Sequence, residues 1–153
     1  MNQYPLVYLD HVQKVYGKHI ALYDVSVNIQ PGRIIGLLGP NGSGKTTIIK
    51  LVNGLLQPTS GNVYIHGEVP SARTKQVVSY LPDTTYLDEN MKISETLRFF
   101  QDFYKDFNVQ RAYQLLNDLQ LHPEQKLKQL SKGNKEKVQL ILVMSREADL
   151  YIL

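Results

Sequence analysis

The chain of 153 residues contains no cysteine. Without thiols it has no disulfide framework, no thiolate metal site and no cysteine nucleophile. Long apolar runs are absent too, because residues 33–39 and 140–144, the longest candidates, fall far short of the roughly 20 residues of a membrane-spanning helix. The N-terminal residues lack the basic and then apolar pattern of a secretion signal. These absences favour a cytosolic setting.

The overall composition is that of a globular domain. Hydrophobic residues make up 42% of the chain and charged residues 20%, which at this length predicts one domain with its own core. The net charge of +3 points weakly to phosphate-bearing partners, and by itself does not choose between nucleotide and nucleic acid.

Short apolar runs separated by turn residues fill the first third of the chain. Residues 6–9 and 25–29 predict strands. Residues 33–38, with the sequence RIIGLL, form a continuous apolar run, which predicts a buried strand of a parallel sheet. Helical spacing of apolar residues follows over residues 45–56. The predicted local order is strand, glycine-rich loop, helix.

The rest of the chain changes from strands to helices. After a turn at residues 58–61, we expect strands over 62–66 and 77–81, and helices beginning at Ser94 and covering about 109–119 and 135–146. Ser94 is a good helix-capping residue, and Gly133 and Asn134 are expected to interrupt the chain before the last helix. Residues 150–153 read as the start of a further buried strand, so we expect the chain to be cut rather than finished.

A glycine-rich loop lies between the predicted strand and helix of the first third. Its sequence, GPNGSGKT over residues 39–46, fits the pattern G-x-x-x-x-G-K-[ST]. Glycines let backbone N–H groups point inward around an anion, and the following helix adds its positive end. Lys45 supplies a charge for the β- and γ-phosphates, the Thr46 hydroxyl can ligate Mg²⁺, and Thr47 can reach the α-phosphate. The alternative is a turn that only joins a strand to a helix. The predicted nucleotide-binding residues of the loop are Gly39, Pro40, Asn41, Gly42, Ser43, Gly44, Lys45, Thr46 and Thr47.

Further motifs, spread over nearly the whole chain, resemble the ATP-binding cassette (ABC) ATPase family. Val15-Tyr16-Gly17 precedes the loop where that family carries an aromatic residue. The resemblance implies that Tyr16 stacks on adenine, whereas the alternative is a plain surface tyrosine. Residues 54–67 resemble the family's turn into a small antiparallel sheet.

Residues 77–97 resemble the family segment that joins the nucleotide-binding core to the helical lobe. The family usually has glutamine after the aligned proline, where it contacts Mg²⁺ and the attacking water. Asp83 stands there, and the resemblance implies a metal-binding and catalytic role for it. A turn aspartate after Pro82 explains this residue equally well.

Residues 130–134, Leu-Ser-Lys-Gly-Asn, resemble the family signature, usually Leu-Ser-Gly-Gly-Gln. Because the motif opens a predicted helix, Ser131 and the following N–H groups can hold an anion. The resemblance implies that this anion is the γ-phosphate bound by the other cassette of a head-to-tail dimer. The alternative is a serine that only caps an amphipathic helix. The predicted signature residues are Leu130, Ser131, Lys132, Gly133 and Asn134.

Several catalytic groups of the family have no counterpart in the chain. The family's Mg²⁺-binding aspartate and water-positioning glutamate follow the strand predicted at residues 150–153, and Asp149 precedes that strand. The histidine that contacts the γ-phosphate is not matched by His11, His19, His66 or His122. Since these groups dominate phosphoryl transfer, we expect nucleotide binding without hydrolysis. We also expect poor stability, because an incomplete parallel sheet exposes apolar edges.

The fold implied by the resemblance is an α/β P-loop NTPase with an ABC-type antiparallel β subdomain and a helical subdomain, incomplete at its C-terminal end. Residues 1–153 are expected to form a single domain. Residues 1–92 would hold the nucleotide-binding core and β subdomain, 93–146 the helical subdomain with the signature, and 147–153 the start of the next core strand.

The function implied by the resemblance is that of the ATP-binding subunit of a transporter, in which two cassettes close around two Mg-ATP molecules. The expected partners are a second cassette and a transmembrane permease, and the expected location is the cytoplasmic face of the cell membrane. The S-K-G-x-K form of the signature resembles cassettes of bacterial export systems, which favours export. A lysine cluster, Lys126, Lys128, Lys132, Lys135 and Lys137, lacks interleaved aromatic residues, so no direct nucleic-acid contact is expected. The alternatives are a soluble nucleic-acid or ribosome factor and a non-enzymatic truncated remnant.

Overall fold

A computed structural model describes residues 4–84 and 86–153 of the chain. The chain folds into two compact units, of which the first ends at Val78 and the second begins at Ser79. Within the described residues, no helix combines the length and the apolar character needed to cross a membrane. The division of the sequence at residues 92 and 146 stays a prediction.

The first unit contains a three-stranded antiparallel sheet. Strand β1 (Val7–Tyr16) lies between β2 (His19–Ile29) and β3 (Ser60–Ile65). The strands predicted over residues 6–9, 25–29 and 62–66 are confirmed as parts of these longer strands, whereas the turn predicted at residues 58–61 is partly wrong. Alternating residues of the strands are buried, which gives the sheet one apolar face; they are Val7, Leu9, Val63 and Ile65.

The pairing of β1 with β2 is irregular at three places, and two of these irregularities lie beside His11 and Asp24. His11 on β1 and Asp24 on β2 adopt left-handed backbone conformations, with φ of 47° and 49°. His11 Nδ1 and Asp24 Oδ1 lie 2.6 Å apart at the exposed surface. Gly61 of β3 has no room for a Cβ, which would lie 2.2 Å from the His11 carbonyl oxygen. Such irregularities add twist to the hairpin.

Helix α1 (Lys45–Val52) follows the glycine-rich loop. The predicted helix extended to residue 56, and the structure ends it at Val52 with Asn53 as the C-cap. Gly54 then adopts a φ of 66°, which ends the helix in the left-handed conformation that favours glycine. Leu51 and Val52 are the buried residues of α1, and the helix packs against β3.

The buried parallel strand predicted over residues 33–38 is not formed. No strand among the described residues pairs with this segment, and it has no regular secondary structure. Ile34 is 103% exposed and Leu38 is 92% exposed. The physical reason for the error is that an apolar run becomes a strand only where neighbouring strands satisfy its N–H and C=O groups.

In its described residues, the second unit combines a short two-stranded sheet with three α-helices and the 3-10 helix Leu127–Gln129. Strand β4 (Val78–Tyr80), which bridges the two units in sequence, is hydrogen-bonded to β5 (Leu150–Ile152). The helices are α2 (Ile93–Phe103), α3 (Val109–Asp118) and α4 (Lys132–Met144). The strand predicted over residues 77–81 is confirmed, with Val78 and Ser79 buried. The helices pack around a core that includes Ile93, Leu97, Phe100, Leu116, Val138, Ile141 and Leu142.

Two predicted helix starts are wrong by a few residues. The N-cap of α2 is Lys92 rather than Ser94, because the Glu95 carboxylate accepts a 2.7 Å hydrogen bond from the Lys92 backbone N–H. Helix α4 begins at Lys132, so Gly133 lies in its first turn instead of interrupting the chain.

A partly buried ion pair joins the loop after α2 to the loop after α4. The Arg146 side chain is 5% exposed, and its Nη2 lies 2.9 Å from Asp106 Oδ2. Its guanidinium also lies 4.1 Å from the ring centroid of Tyr104. Glu147 N donates to the Asp106 carbonyl at 2.9 Å. These contacts fix the segment that leads from α4 into β5.

Candidate functional site

The glycine-rich loop folds into a tight turn that leads directly into α1. Gly42 and Gly44 adopt φ values of 83° and 89°, conformations that other residues rarely adopt. Ser43 N donates to the Pro40 carbonyl at 3.2 Å and closes the turn. The first turn of α1 follows at once, so its N–H groups, which have no partner inside the helix, remain available to an anion.

Strand β2 supports the loop from behind. A Cβ added to Gly44 would lie 2.5 Å from Leu22 Cδ2 and 2.7 Å from the Ala21 carbonyl oxygen. Both distances are shorter than any ordinary contact, so only glycine fits between the start of α1 and β2. The sheet therefore fixes where α1 begins, and with it the direction of its first N–H groups.

The Lys45 ammonium is held over the loop by the loop's own oxygens. Its Nζ donates to the carbonyls of Gly39 and Pro40, both at 2.7 Å, and to Ser43 Oγ at 3.4 Å. The Lys45 charge and the N–H groups at the start of α1 thus lie in the same turn, which is an arrangement that binds phosphate. Thr46 is exposed in the same helical turn and Thr47 is half-buried. The exposed Thr46 hydroxyl fits a Mg²⁺ ion, which takes one or two protein oxygens beside phosphate and water.

Tyr16 lies at the end of β1, in the same unit as the loop. It pairs with His19 across a two-residue turn that contains Gly17, and its side chain is 44% exposed. The ring is therefore accessible to a planar ligand. The Lys14 ammonium lies 5.2 Å from the centre of the ring.

The predicted signature residues lie in the second unit, at the start of α4. Leu130 is buried, and Ser131 is the N-cap, whose hydroxyl accepts from Asn134 N at 3.3 Å. Lys132 and Gly133 occupy the first turn, and a Cβ on Gly133 would meet nothing within 4 Å. The motif thus presents an open helix start to solvent, and its role in anion binding stays a prediction.

Asp83 is exposed in the loop after β4. Burial, with a smaller contribution from the Asp83 charge, raises the pKa of Tyr80. Within the described ranges, no three His, Cys, Asp or Glu side chains gather to hold a metal ion. The metal-binding role of Asp83 therefore stays a prediction.

Comparison with known proteins places these features in a family. The family model described as ABC transporter matches residues 22–153. The chain belongs to the ABC transporter family. The SkfA peptide export ATP-binding protein SkfE of Bacillus subtilis is 34% identical over 155 residues, covering 97% of this chain and 64% of that protein. The zinc import ATP-binding protein ZnuC of Haemophilus influenzae is 31% identical over 154 residues, covering 99% of this chain and 54% of that protein.

Solved structures agree with the family and the fold. A structure described as the ATP binding subunit of an ABC transporter matches with a TM-score of 0.85 and 28% identity, covering 95% of this chain and 64% of that one. The predicted fold class, an α/β ABC-type P-loop domain, is confirmed by this likeness. The chain spans about half to two thirds of the length of the curated relatives it matches.

Three residues around the site of this ABC family member were not predicted from the sequence. Ala21 and Leu22 form the surface on which Gly44 packs, and Lys14 lies beside Tyr16. The sequence could have indicated the contact between Lys14 and Tyr16, because residues two apart on a strand share a face. The sequence carries no comparable signal for the contact of β2 with Gly44, which joins segments about twenty residues apart.

The lysine cluster is largely engaged in local contacts in this cassette. Lys135 pairs with Glu89 at 2.5 Å, and Lys132 lies 4.0 Å from Glu136 one helical turn later. Lys128 donates to Asn90 Oδ1 at 3.4 Å. Two of these three contacts are ion pairs, and the expectation that the cluster makes no direct nucleic-acid contact stays a prediction.

Proposed function

We propose that the chain binds Mg-ATP at residues 39–47, as the nucleotide-binding part of an ABC transporter ATPase. The observation that carries the proposal is the loop itself: the Lys45 ammonium bonded to the Gly39 and Pro40 carbonyls, over a turn that ends in free helical N–H groups. The family membership agrees with it.

Each part of the site contributes a separate interaction. The loop N–H groups and Lys45 neutralise the β- and γ-phosphates, with Thr47 at the α-phosphate. The Thr46 hydroxyl would hold Mg²⁺, which screens the phosphate charge when bound. Tyr16 offers a flat apolar ring to adenine, which gives affinity with little selection by hydrogen bonds.

In the complete protein we propose that two cassettes assemble head to tail, so that residues 130–134 of one meet the γ-phosphate held by the other. Nucleotide binding then selects the closed dimer, and hydrolysis reopens it and resets a transmembrane permease. We place the protein at the cytoplasmic face of the cell membrane. We propose export as the direction, supported by the S-K-G-x-K signature and the peptide-export relative, while the zinc-import relative keeps import as the alternative.

The 153 residues alone would bind nucleotide without turning it over. The proposal concerns residues 1–153 only, which do not include the metal-binding aspartate and the water-positioning glutamate that the resemblance places after β5. Positioning of water and stabilisation of charge are the main contributions to phosphoryl transfer, so their loss removes catalysis while the phosphate loop still binds. Asp83 is proposed as a weaker aid to Mg²⁺ binding.

Titration with Mg-ATP tests the binding proposal. Lys45→Ala should weaken binding by about ten- to a hundredfold, because it removes a charge-assisted contact worth about 1.5–3 kcal/mol. Lys50→Ala is the matched control, since it removes the same charge from an exposed position in the last turn of α1. Equal affinities of the two variants would overturn the proposal. Co-purification with membranes rather than ribosomes tests the transporter assignment separately.

A further inference from the structure

Lys14 and Tyr16 form a pair beside the phosphate loop. Both lie on β1, two residues apart and therefore on one face of the strand. The Lys14 Nζ lies 5.2 Å from the centre of the Tyr16 ring, within the range of a cation–π interaction. The same Nζ donates to the Gln57 carbonyl at 2.8 Å. Both ends of the Lys14 side chain are thus fixed. Its half-buried stem starts from strand β1, and its ammonium donates to a main-chain carbonyl.

The carbonyl that holds Lys14 belongs to the segment that leaves α1 and enters β3. Two further hydrogen bonds tie this segment to the end of β1: Thr59 N donates to the Gln13 carbonyl at 2.8 Å, and Val15 N donates to Thr59 Oγ1 at 3.0 Å. Hydrogen bonds therefore tie the segment after α1 to the end of β1, on both sides of the Lys14 ammonium.

We propose that Lys14 is a positioning residue for the nucleotide base. Its ammonium, anchored on Gln57, restrains the Tyr16 ring from one face, so that the other face is held ready for the base. A ring restrained before binding loses less rotational freedom when the base stacks on it. The proposal rests on the proposed nucleotide site and adds to it a residue that acts through Tyr16 rather than on the phosphates.

Comparing the affinities for ATP and for inorganic tripolyphosphate separates recognition of the base from recognition of the phosphates, because tripolyphosphate has no base. Both are measured by competition against a fluorescent ATP analogue with the full 153-residue chain. Lys14→Met keeps an apolar stem and should weaken ATP about two- to fivefold, without changing the affinity for tripolyphosphate. Lys14→Arg should restore the affinity for ATP. Lys18→Met is the matched control, because it removes the same charge from the exposed turn between β1 and β2.

A double variant tests whether Lys14 acts through the ring. Tyr16→Leu should weaken ATP by about fivefold or more while sparing tripolyphosphate. Lys14→Met should then have no further effect in the Tyr16→Leu background. Additive losses, or an equal loss of ATP and tripolyphosphate on Lys14→Met, would overturn the positioning role. If Tyr16→Leu leaves the ratio of the two affinities unchanged, base stacking itself fails, and the positioning role fails with it.

NMR of the nucleotide-free chain tests the contact between Lys14 and Tyr16 without any ligand. With ¹³C-labelled tyrosine rings, Lys14→Met should shift the Tyr16 ring signals and change their line widths, while the other tyrosines keep theirs. Lys14→Arg should largely restore the Tyr16 signals. Unchanged Tyr16 signals in Lys14→Met would show that the ammonium does not restrain the ring, and would overturn the proposal independently of any ligand.

Discussion

Replacing Gly44 by alanine probes how closely the phosphate loop packs on strand β2. The new Cβ would lie 2.5 Å from Leu22 Cδ2 and 2.7 Å from the Ala21 carbonyl oxygen. The Leu22 methyl can rotate away, whereas the Ala21 oxygen belongs to the main chain of β2, so relief of this contact requires the backbone to shift. In addition, Gly44 has a φ of 89°, which costs an L-residue about 1–2 kcal/mol. Crowding adds about 1–3 kcal/mol, so we expect a total loss of stability of about 2–5 kcal/mol.

Gly42→Ala is the matched control for backbone strain. Gly42 has a similar φ of 83°, but a Cβ there would meet nothing within 4 Å. This variant should therefore lose only the conformational contribution, about 1–2 kcal/mol. The difference between the two variants isolates the packing of the loop on β2, free of the strain that they share.

Urea unfolding of both variants measures the difference in the free energy of unfolding. Mg-ATP titration of the folded variants gives a second readout, because a displaced α1 start would misdirect its first N–H groups. We expect Gly44→Ala to lose more stability and more affinity than Gly42→Ala. Equal losses in the two variants would show that β2 does not support the loop, and would refute the packing argument.

Three other perturbations have outcomes that follow from the structure. Arg146→Met should cost about 3 kcal/mol in urea unfolding, because it leaves the partly buried Asp106 carboxylate unpaired; a loss below about 1 kcal/mol would contradict the ion pair. The hydrogen bond to Asp24 raises the pKa of His11, so the pair should stabilise the fold fully below about pH 6.5 and lose this effect as pH rises through the folded pKa. An NMR titration should show a lower His11 pKa in Asp24→Asn, and identical values would count against the pair. Ile34→Thr should change stability by less than about 0.5 kcal/mol, because Ile34 is fully exposed, whereas a loss above about 2 kcal/mol would indicate the buried strand that the sequence pattern predicts.

The elements that depend on short sequence patterns were predicted well. The alternation over residues 25–29, the short strand pattern over 62–66 and the helical spacing after Lys45 correctly located two strands and a helix. The error at the start of α2 came from capping. Lys92 is not a typical cap, and the Glu95 carboxylate takes the place of a capping side chain by accepting from the Lys92 N–H.

The segment of residues 33–38 shows where pattern alone fails. Its continuous apolar character is that of a buried strand, but burial requires partner strands from elsewhere in the chain. None of the described strands pairs with it, and Ile34 and Leu38 face solvent. The six-residue run therefore indicated a tendency to form a strand, and the lack of a pairing strand among the described residues decided that none forms.

The sequence by itself determined the chemistry of the candidate site. The order of glycines, Lys45 and Thr46 defines a phosphate loop because each residue type acts through its own backbone freedom, charge or hydroxyl. Only the tertiary structure decided what surrounds these residues: that β2 leaves no room beside Gly44, and that Lys14 bridges Gln57 and Tyr16. The reason is that local chemistry is encoded within a few residues, whereas packing depends on segments that meet only after the chain has folded.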